Sequence, residues 1–275
     1  MLNNSKNMKN SFVYAVKGMI VGASMLIPGV SGGSMAIILG IYDKLISSIS
    51  SFFKHKKESI MILGSFGIGA IIGLVLFASP LEYLTKTYNM IMMYFFIGAV
   101  AGGLPLMYKK ANINKIDITS LLYIIFGAAI TLLLNFIPEG LFVFNTKLGL
   151  AEILLLLAAG LIIAVALILP GISTSYMLLI LGMYDETMRA IKELYFPYLI
   201  PIALGALIGI ALTTRTLEKA LESKGKATYL IIIGFILGSV IQVFPGIPEG
   251  LELIICPITF AAGYFIIRKI SQFGN

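Results

Sequence analysis

Two clusters rich in hydroxyls and glycine, Ser31-Gly32-Gly33-Ser34 and Ser173-Thr174-Ser175-Tyr176, interrupt strongly apolar sequence a few residues after a Pro-Gly pair, Pro28-Gly29 and Pro170-Gly171. Proline cannot donate to a helix and glycine has little preference for continuing one, so an incoming helix must end at each pair. A helix that restarts beyond the pair presents unpaired backbone N–H groups, and serine or threonine at its start adds hydroxyls. Donors of this kind suit an oxyanion, a phosphate or a carboxylate. No uninterrupted apolar run carries a central Arg or Lys, so binding would rest on backbone, hydroxyls and nearby donors such as Tyr176 or Gln242, and it would be weak enough to release. The plainer explanation is that the hydroxyls only cap broken helices. Duplication of a hydroxyl-rich break favours the anion site.

The clusters belong to a stretch that occurs twice, 142 positions apart: Pro28 to Asp43 matches Pro170 to Asp185 at nine of sixteen positions, including Met35 and Met177, Gly40 and Gly182, and the closing Tyr-Asp pairs. Freed backbone groups are tolerated at membrane depth only where they line a cavity, which makes a duplicated break a pointer to a transporter's substrate site. The composition requires a membrane. With 59% hydrophobic residues, 12% charged residues and a mean hydropathy of +0.98, the chain has too few charges to cover a soluble globule. Its 275 residues read as a single membrane domain.

Apolar runs near 60–80, 89–108, 118–137, 197–214, 227–244 and 252–268 each approach the roughly 20 residues that cross a bilayer. Segments 12–42 and 150–184 hold the breaks, with an outgoing half-helix expected from about Met35 to Tyr42 and its counterpart in the second copy, and 215–226 reads as a basic loop. If these two dip in and return, 16 Lys and Arg residues fall on one side, from Lys6, Lys9 and Lys17 to Arg268 and Lys269, and only Lys86, Lys147, Arg189 and Lys192 on the other; single crossings would give 11 against nine. The positive-inside bias favours two re-entrant hairpins with both termini cytoplasmic, and the first dozen residues read as a cytoplasmic tail. The net charge of +7 thus follows the loops and implies no nucleic-acid partner.

One hairpin plus three spans is an odd number of crossings, so the second half must lie upside down relative to the first. The expected fold is an all-α polytopic membrane protein with an inverted-topology repeat, repeat 1 over 12–149 and repeat 2 over 150–275, containing two re-entrant hairpins and six transmembrane helices. Further matches at an offset of 136 agree: Gly69 and Gly73 answer to Gly205 and Gly209, Glu82 to Glu218, and Gly98 and Gly102 to Gly234 and Gly238. These Gly-x-x-x-Gly patterns let neighbouring helix backbones approach closely, and they could also keep a surface smooth for a lipid chain.

Four acids invite a second reading. Asp43 and Asp185 close the repeated stretch, and Glu139 and Glu249 lie in recurring Ile-Pro-Glu-Gly segments. Helix ends and turns explain them simply; a coupling proton or cation is the functional alternative. The single His55 sits in a basic loop, and Cys256 lies alone in an apolar run. No metal, cofactor or ATP-binding motif is expected, and neither break carries the His, Arg or paired acids of a membrane-embedded lipid phosphatase.

The run Gly18 to Ser34 with Ile38-Leu39-Gly40-Ile41-Tyr42-Asp43, and its echo from Leu169-Pro170-Gly171-Ile172-Ser173 to Tyr184, resembles the PopT-type bacterial undecaprenyl-phosphate transporter family along essentially the whole chain. Ser34 stands where many relatives are expected to carry Thr, and Thr174 where they carry Gly. The resemblance implies a flippase of the bacterial cell membrane, acting in lipid transport and cell-wall biogenesis, that returns undecaprenyl phosphate from the outer to the cytoplasmic leaflet without enzymatic chemistry. Its partners would be that lipid and the surrounding membrane lipids, with homo-oligomer formation left open. The headgroup would meet Ser31, Gly32, Gly33, Ser34, Ser173, Thr174, Ser175 and Tyr176. Two alternatives stay open: a carrier or channel for a small soluble anion, and a lipid phosphatase.

Overall fold

A computed structural model of the protein describes residues 2–26, 31–112, 117–134, 136–141 and 149–273, with side chains between Asn10 and Ile270. Pro28, Gly29 and Val30 of the first break, Lys115, Lys147 and the side chains of Lys6 and Lys9 lie outside the described residues. Every regular element described is an α-helix: α1 (Leu2–Ser24), α2 (Gly32–Ile38), α3 (Tyr42–Ser50), α4 (Lys56–Thr87), α5 (Asn89–Lys110), α6 (Ile118–Leu134), α7 (Leu150–Ile168), α8 (Thr174–Ile180), α9 (Tyr184–Lys192), α10 (Phe196–Val243) and α11 (Glu252–Phe273). Several of these are long and apolar enough to cross a bilayer, which makes the chain a multi-pass membrane protein.

Two expectations need correction. The helix after each break does not run on to Tyr42 or Tyr184: α2 stops at Ile38 and α8 at Ile180, and a second short helix follows. The cause is the shared Leu-Gly. Gly40 and Gly182 take left-handed φ values of 66° and 71°, and the next residues, Ile41 and Met183, donate back to the carbonyls of Ala36 and Leu178, a Schellman closure. The polar segment 215–226 is likewise no loop. Leu217 to Glu222 are good helix formers, and α10 passes through them, broken only at Lys224 (φ −138°, ψ 45°). A straight helix of that length would reach about 72 Å, over twice a ~30 Å hydrocarbon core, so the break divides α10 into two membrane-length arms.

Glycine seams join the long helices in pairs. α1 packs on α4, α7 on the first arm of α10, α5 on α11, and α6 on the second arm of α10. A Cβ on Gly98 would lie 2.0 Å from the Phe260 carbonyl oxygen and one on Gly234 2.2 Å from that of Ile124; Gly69 against Ala15 and Gly205 against Leu157 give 1.9 and 2.1 Å. Both members of each pair of contacts are related by the offsets found in the sequence. These glycines therefore serve helix packing, while Gly64 and Gly67 have no neighbour within 4 Å. Apolar side chains such as Ile71 and Val75 of α4, Leu207 of α10 and Ile258 of α11 stay exposed, as a lipid-facing surface requires.

The basic segments gather at one end. Ser50 donates to Glu218, Lys226 lies 3.5 Å from Asp117, and Lys110 pairs with Asp43 at 2.5 Å. At the same end Asp117 caps α6 through the N–H and hydroxyl of Ser120, bonds that hold its carboxyl down to about 2. The main core surrounds α2, whose Ile37 and Ile38 are fully buried, whereas α8 packs into smaller clusters at the side.

Backbone contact at the seams sets a measurable expectation. Gly98→Val and Gly234→Val should each lower the melting temperature in detergent, by roughly the 1–3 kcal/mol of an overpacked core or more. Gly64→Val should leave it unchanged; equal losses at all three sites would contradict the seam assignment.

Candidate functional site

Each break is rebuilt the same way on its outgoing side. Ser31 (φ −82°, ψ 146°) and Ser173 (φ −83°, ψ 122°) are the N-caps of α2 and α8, accepting from the backbone N–H of Ser34 at 3.1 Å and of Tyr176 at 3.3 Å. Capping is thus one role of both serines. Beyond it the two copies differ.

The first tip is locked into the second break. Ser31 Oγ also accepts the Gly171 N–H at 2.8 Å and lies 2.8 Å from Ser34 Oγ, so both its lone pairs and its proton have partners. The Tyr42 hydroxyl donates to the Ile168 carbonyl at 2.8 Å, satisfying an acceptor that the end of α7 leaves open. Gly33 faces Ile168 and Pro170, where an added Cβ would sit 3.3 Å from their backbone atoms. Gly171 has a φ of +87° and presses on Phe235, with a Cβ there 2.6 Å from its backbone; only glycine suits that position.

Between the tips lies a cavity of about 400 Å³. Ser31, Gly32, Ser173, Thr174, Ser175, Tyr176, Ser239 and Gln242 supply its polar lining, and Met25, Leu26, Ala166, Leu167, Ile172 and Leu179 most of the rest. Six of the eight residues singled out in the sequence therefore meet there. Gly33 and Ser34 do not: both are buried beside the cavity. Among the described residues no charged side chain lines it.

Several donors are already engaged. Tyr176 donates to the Leu134 carbonyl, Gln242 to that of Thr131 and Ser239 to that of Ile236. The hydroxyls of Thr174 and Ser175 bond to no described residue, and Ser173 and Ser175 are exposed. These three are the donors left for a ligand. α8 has only seven residues, so its dipole adds little and local hydroxyl and amide groups must do the binding. Leu134 and Gln242 mark the cavity's place, because each ends a helix whose other end lies by Asp117 or Lys226; the cavity sits toward the end away from the lysines.

The acids fall elsewhere. Asp43 takes Lys110 at 2.5 Å and the Tyr229 hydroxyl at 2.7 Å, fastening α3 to α5 and α10 at the basic end. Asp185 is exposed in the first turn of α9 and bonds to no described residue. Glu139 is exposed in a segment whose Gly140 and Leu141 N–H groups cover the Leu179 and Ile180 carbonyls of α8; Glu249 is exposed in the turn before α11. Among the described residues no three His, Cys, Asp or Glu side chains group as metal ligands. Sequence reasoning missed Ser239 and the Asp43 partners. Lys110 gave no more signal than any other basic-loop residue, and Tyr229 gave none.

A family model described as undecaprenyl phosphate translocase-like matches residues 21–253. A polyprenyl-phosphate transporter of Staphylococcus aureus is 32% identical over 273 residues, covering 95% of this chain and 96% of the relative. A second protein of that name, from Vibrio cholerae, is 28% identical over 246 residues, covering 84% and 76%. No solved structure matches the chain.

The locked tip and the open one should respond differently to loss of a hydroxyl. Ser31→Ala leaves the Gly171 and Ser34 N–H groups without their acceptor and should cost about 1–3 kcal/mol of stability. Ser175→Ala, at an exposed hydroxyl, should stay within about 0.5 kcal/mol. Melting of the purified variants measures both, and a neutral Ser31→Ala would contradict the tip-to-tip bond.

Proposed function

The chain belongs to the undecaprenyl phosphate translocase-like family, and from that premise we propose that it carries undecaprenyl phosphate from the outer to the cytoplasmic leaflet, recycling the carrier for cell-wall glycan synthesis. The observation that carries this reading is the cavity between the two breaks, with free hydroxyls and no cation among its described lining residues. A phosphate crossing hydrocarbon needs a polar resting place at depth, and one that holds it by hydrogen bonds alone releases it again. The polyprenyl chain stays in lipid if the path opens sideways. The names of the relatives support the lipid substrate.

The two halves form an inverted repeat of re-entrant hairpins with both termini cytoplasmic; the paired glycine seams and the gathering of basic segments at one end support this arrangement. On that topology the cavity faces the outer leaflet, and Ser31–Gly171, Tyr42–Ile168 and Asp43–Lys110–Tyr229 hold the cytoplasmic side shut. The coupling role considered for Asp43 gives way to that of a latch. Asp185 has no such ties, which suits a hairpin that is open in this state. Transport is alternating access: the first hairpin loosens while the second closes over the headgroup.

Two measurements test this. Cysteines replacing Lys56 and Lys224 should label with a membrane-impermeant reagent from the cytoplasmic side only, and one replacing Arg189 from the outside only; labelling of positions 56 and 189 from the same side would refute the inverted topology.

Binding tests the site. Ser173→Ala and Ser175→Ala should each weaken undecaprenyl phosphate binding by about 0.5–1.5 kcal/mol, roughly two- to twelvefold, with normal expression. Inorganic phosphate should compete poorly. Equal affinity for inorganic phosphate and the lipid would favour a soluble-anion carrier, and release of phosphate from the lipid would reveal an enzyme.

A further inference from the structure

A second hollow, of about 250 Å³, adjoins the hydroxyl cavity and differs from it in kind. It lies between the α1–α4 pair and the α5–α11 pair. Ile20 and Ala23 of α1, Phe77 of α4, and Phe96 and Ala99 of α5 form its walls, with Met35 of α2 at its base. Ser24 also lines it but donates its hydroxyl to the Val21 carbonyl at 2.6 Å, so no free polar group faces the space. Phe77 at the rim is 37% exposed, while Phe96 and Ala99 behind it are 5% exposed.

Ser24 and Met35 line this hollow where their near neighbours Met25 and Gly32 line the hydroxyl cavity, so the end of α1 and the start of α2 form a wall common to both. Small residues make the room. At the offsets of the repeat, Ala99 corresponds to Phe235 and Ala23 to Val165, larger side chains in the same places of the second half. An apolar slot beside a phosphate-sized polar cavity, with the end of α1 and the start of α2 lining both, suits an amphiphile with a single chain.

We propose that this hollow holds the first isoprene units of the polyprenyl chain while the phosphate occupies the hydroxyl cavity. The inference rests on the reading of the chain as a polyprenyl-phosphate transporter. It adds a chain-binding subsite, in which Ile20, Ala23, Phe77 and Ala99 determine whether a prenyl chain is accepted beside its headgroup.

The test uses the purified full-length protein in lipid nanodiscs and undecaprenyl phosphate bearing a diazirine on an isoprene unit near the phosphate. Photolysis followed by mass spectrometry should place the label on the Ile20–Ser24 and Phe95–Ala99 segments. Excess unlabelled undecaprenyl phosphate should reduce it at least fivefold, and an equal excess of phosphatidylglycerol should not. Ile20→Trp, which fills the hollow, should lower the affinity for undecaprenyl phosphate about tenfold and leave that for dimethylallyl phosphate, a headgroup with one isoprene unit, within twofold. Ile71→Trp, equal bulk on the exposed face of α4 outside the hollow, should leave both affinities unchanged, and retained binding of dimethylallyl phosphate by Ile20→Trp shows that the tryptophan variant is folded. Label confined to the outer faces of α4 and α11, label displaced equally by phosphatidylglycerol, or unchanged affinity in Ile20→Trp would overturn the inference, because the hollow would then hold bulk lipid. Transport of undecaprenyl phosphate by the same preparation would still stand in that case. If the unmodified protein neither binds nor moves the lipid, it is the functional reading itself that fails.

Discussion

A helix broken inside a bilayer leaves backbone groups that hydrocarbon cannot solvate, and the arrangement of this protein follows from where those groups go. The chain breaks twice, and the two breaks bond to each other. The Gly171 N–H goes to Ser31, the carbonyl at the end of α7 goes to Tyr42, and the carbonyls at the end of α8 go to Gly140 and Leu141. After this accounting, the hydroxyls left to donate on the wall of the cavity are, among the described residues, those of Ser173, Thr174 and Ser175. The groups that must be unsatisfied in lipid are also the ones available to a ligand.

The surrounding helices hold the breaks in place. With no hydrophobic driving force between helices in lipid, close backbone packing has to supply the cohesion, and glycine seams provide it in four helix pairs. α5 packs against α11 and α6 against the second arm of α10, so each half of the sequence is completed by helices of the other. Within this frame the two breaks are unlike: α2 sits in the main core with its cap saturated, while α8 packs into smaller clusters and keeps free hydroxyls. On the proposed alternating-access reading, one sequence pattern held in two environments gives each copy the partner's environment to adopt in turn.

The repeated stretch announced the breaks and their capping serines, and the offset Gly-x-x-x-Gly matches announced the glycine seams, because each depends on local chemistry that a residue type discloses. Gly40 and Gly182 were visible as identities, yet their effect, a Schellman stop that shortens α2 and α8, was not, since Ile41 and Tyr42 are equally compatible with continuing a helix. Pattern also failed to show that Gly33 and Ser34 turn away from the cavity: both copies look alike in sequence, and only the tertiary environment tells a locked tip from an open one. The Asp43–Lys110–Tyr229 cluster joins residues up to 186 positions apart, and nothing in the spacing pointed to it. In α10, the polar stretch suggested a loop where helix propensity prevailed and left a break at Lys224 alone.

The central claim is that the headgroup passes between the two tips. It is tested most directly in liposomes, with undecaprenyl phosphate placed in one leaflet and its arrival in the other followed over time, using protein that carries Gly32→Cys and Thr174→Cys. Reduced protein should move the lipid and oxidised protein, with the tips cross-linked, should not, with movement restored on reduction. Transport at full speed by the cross-linked protein would contradict the account.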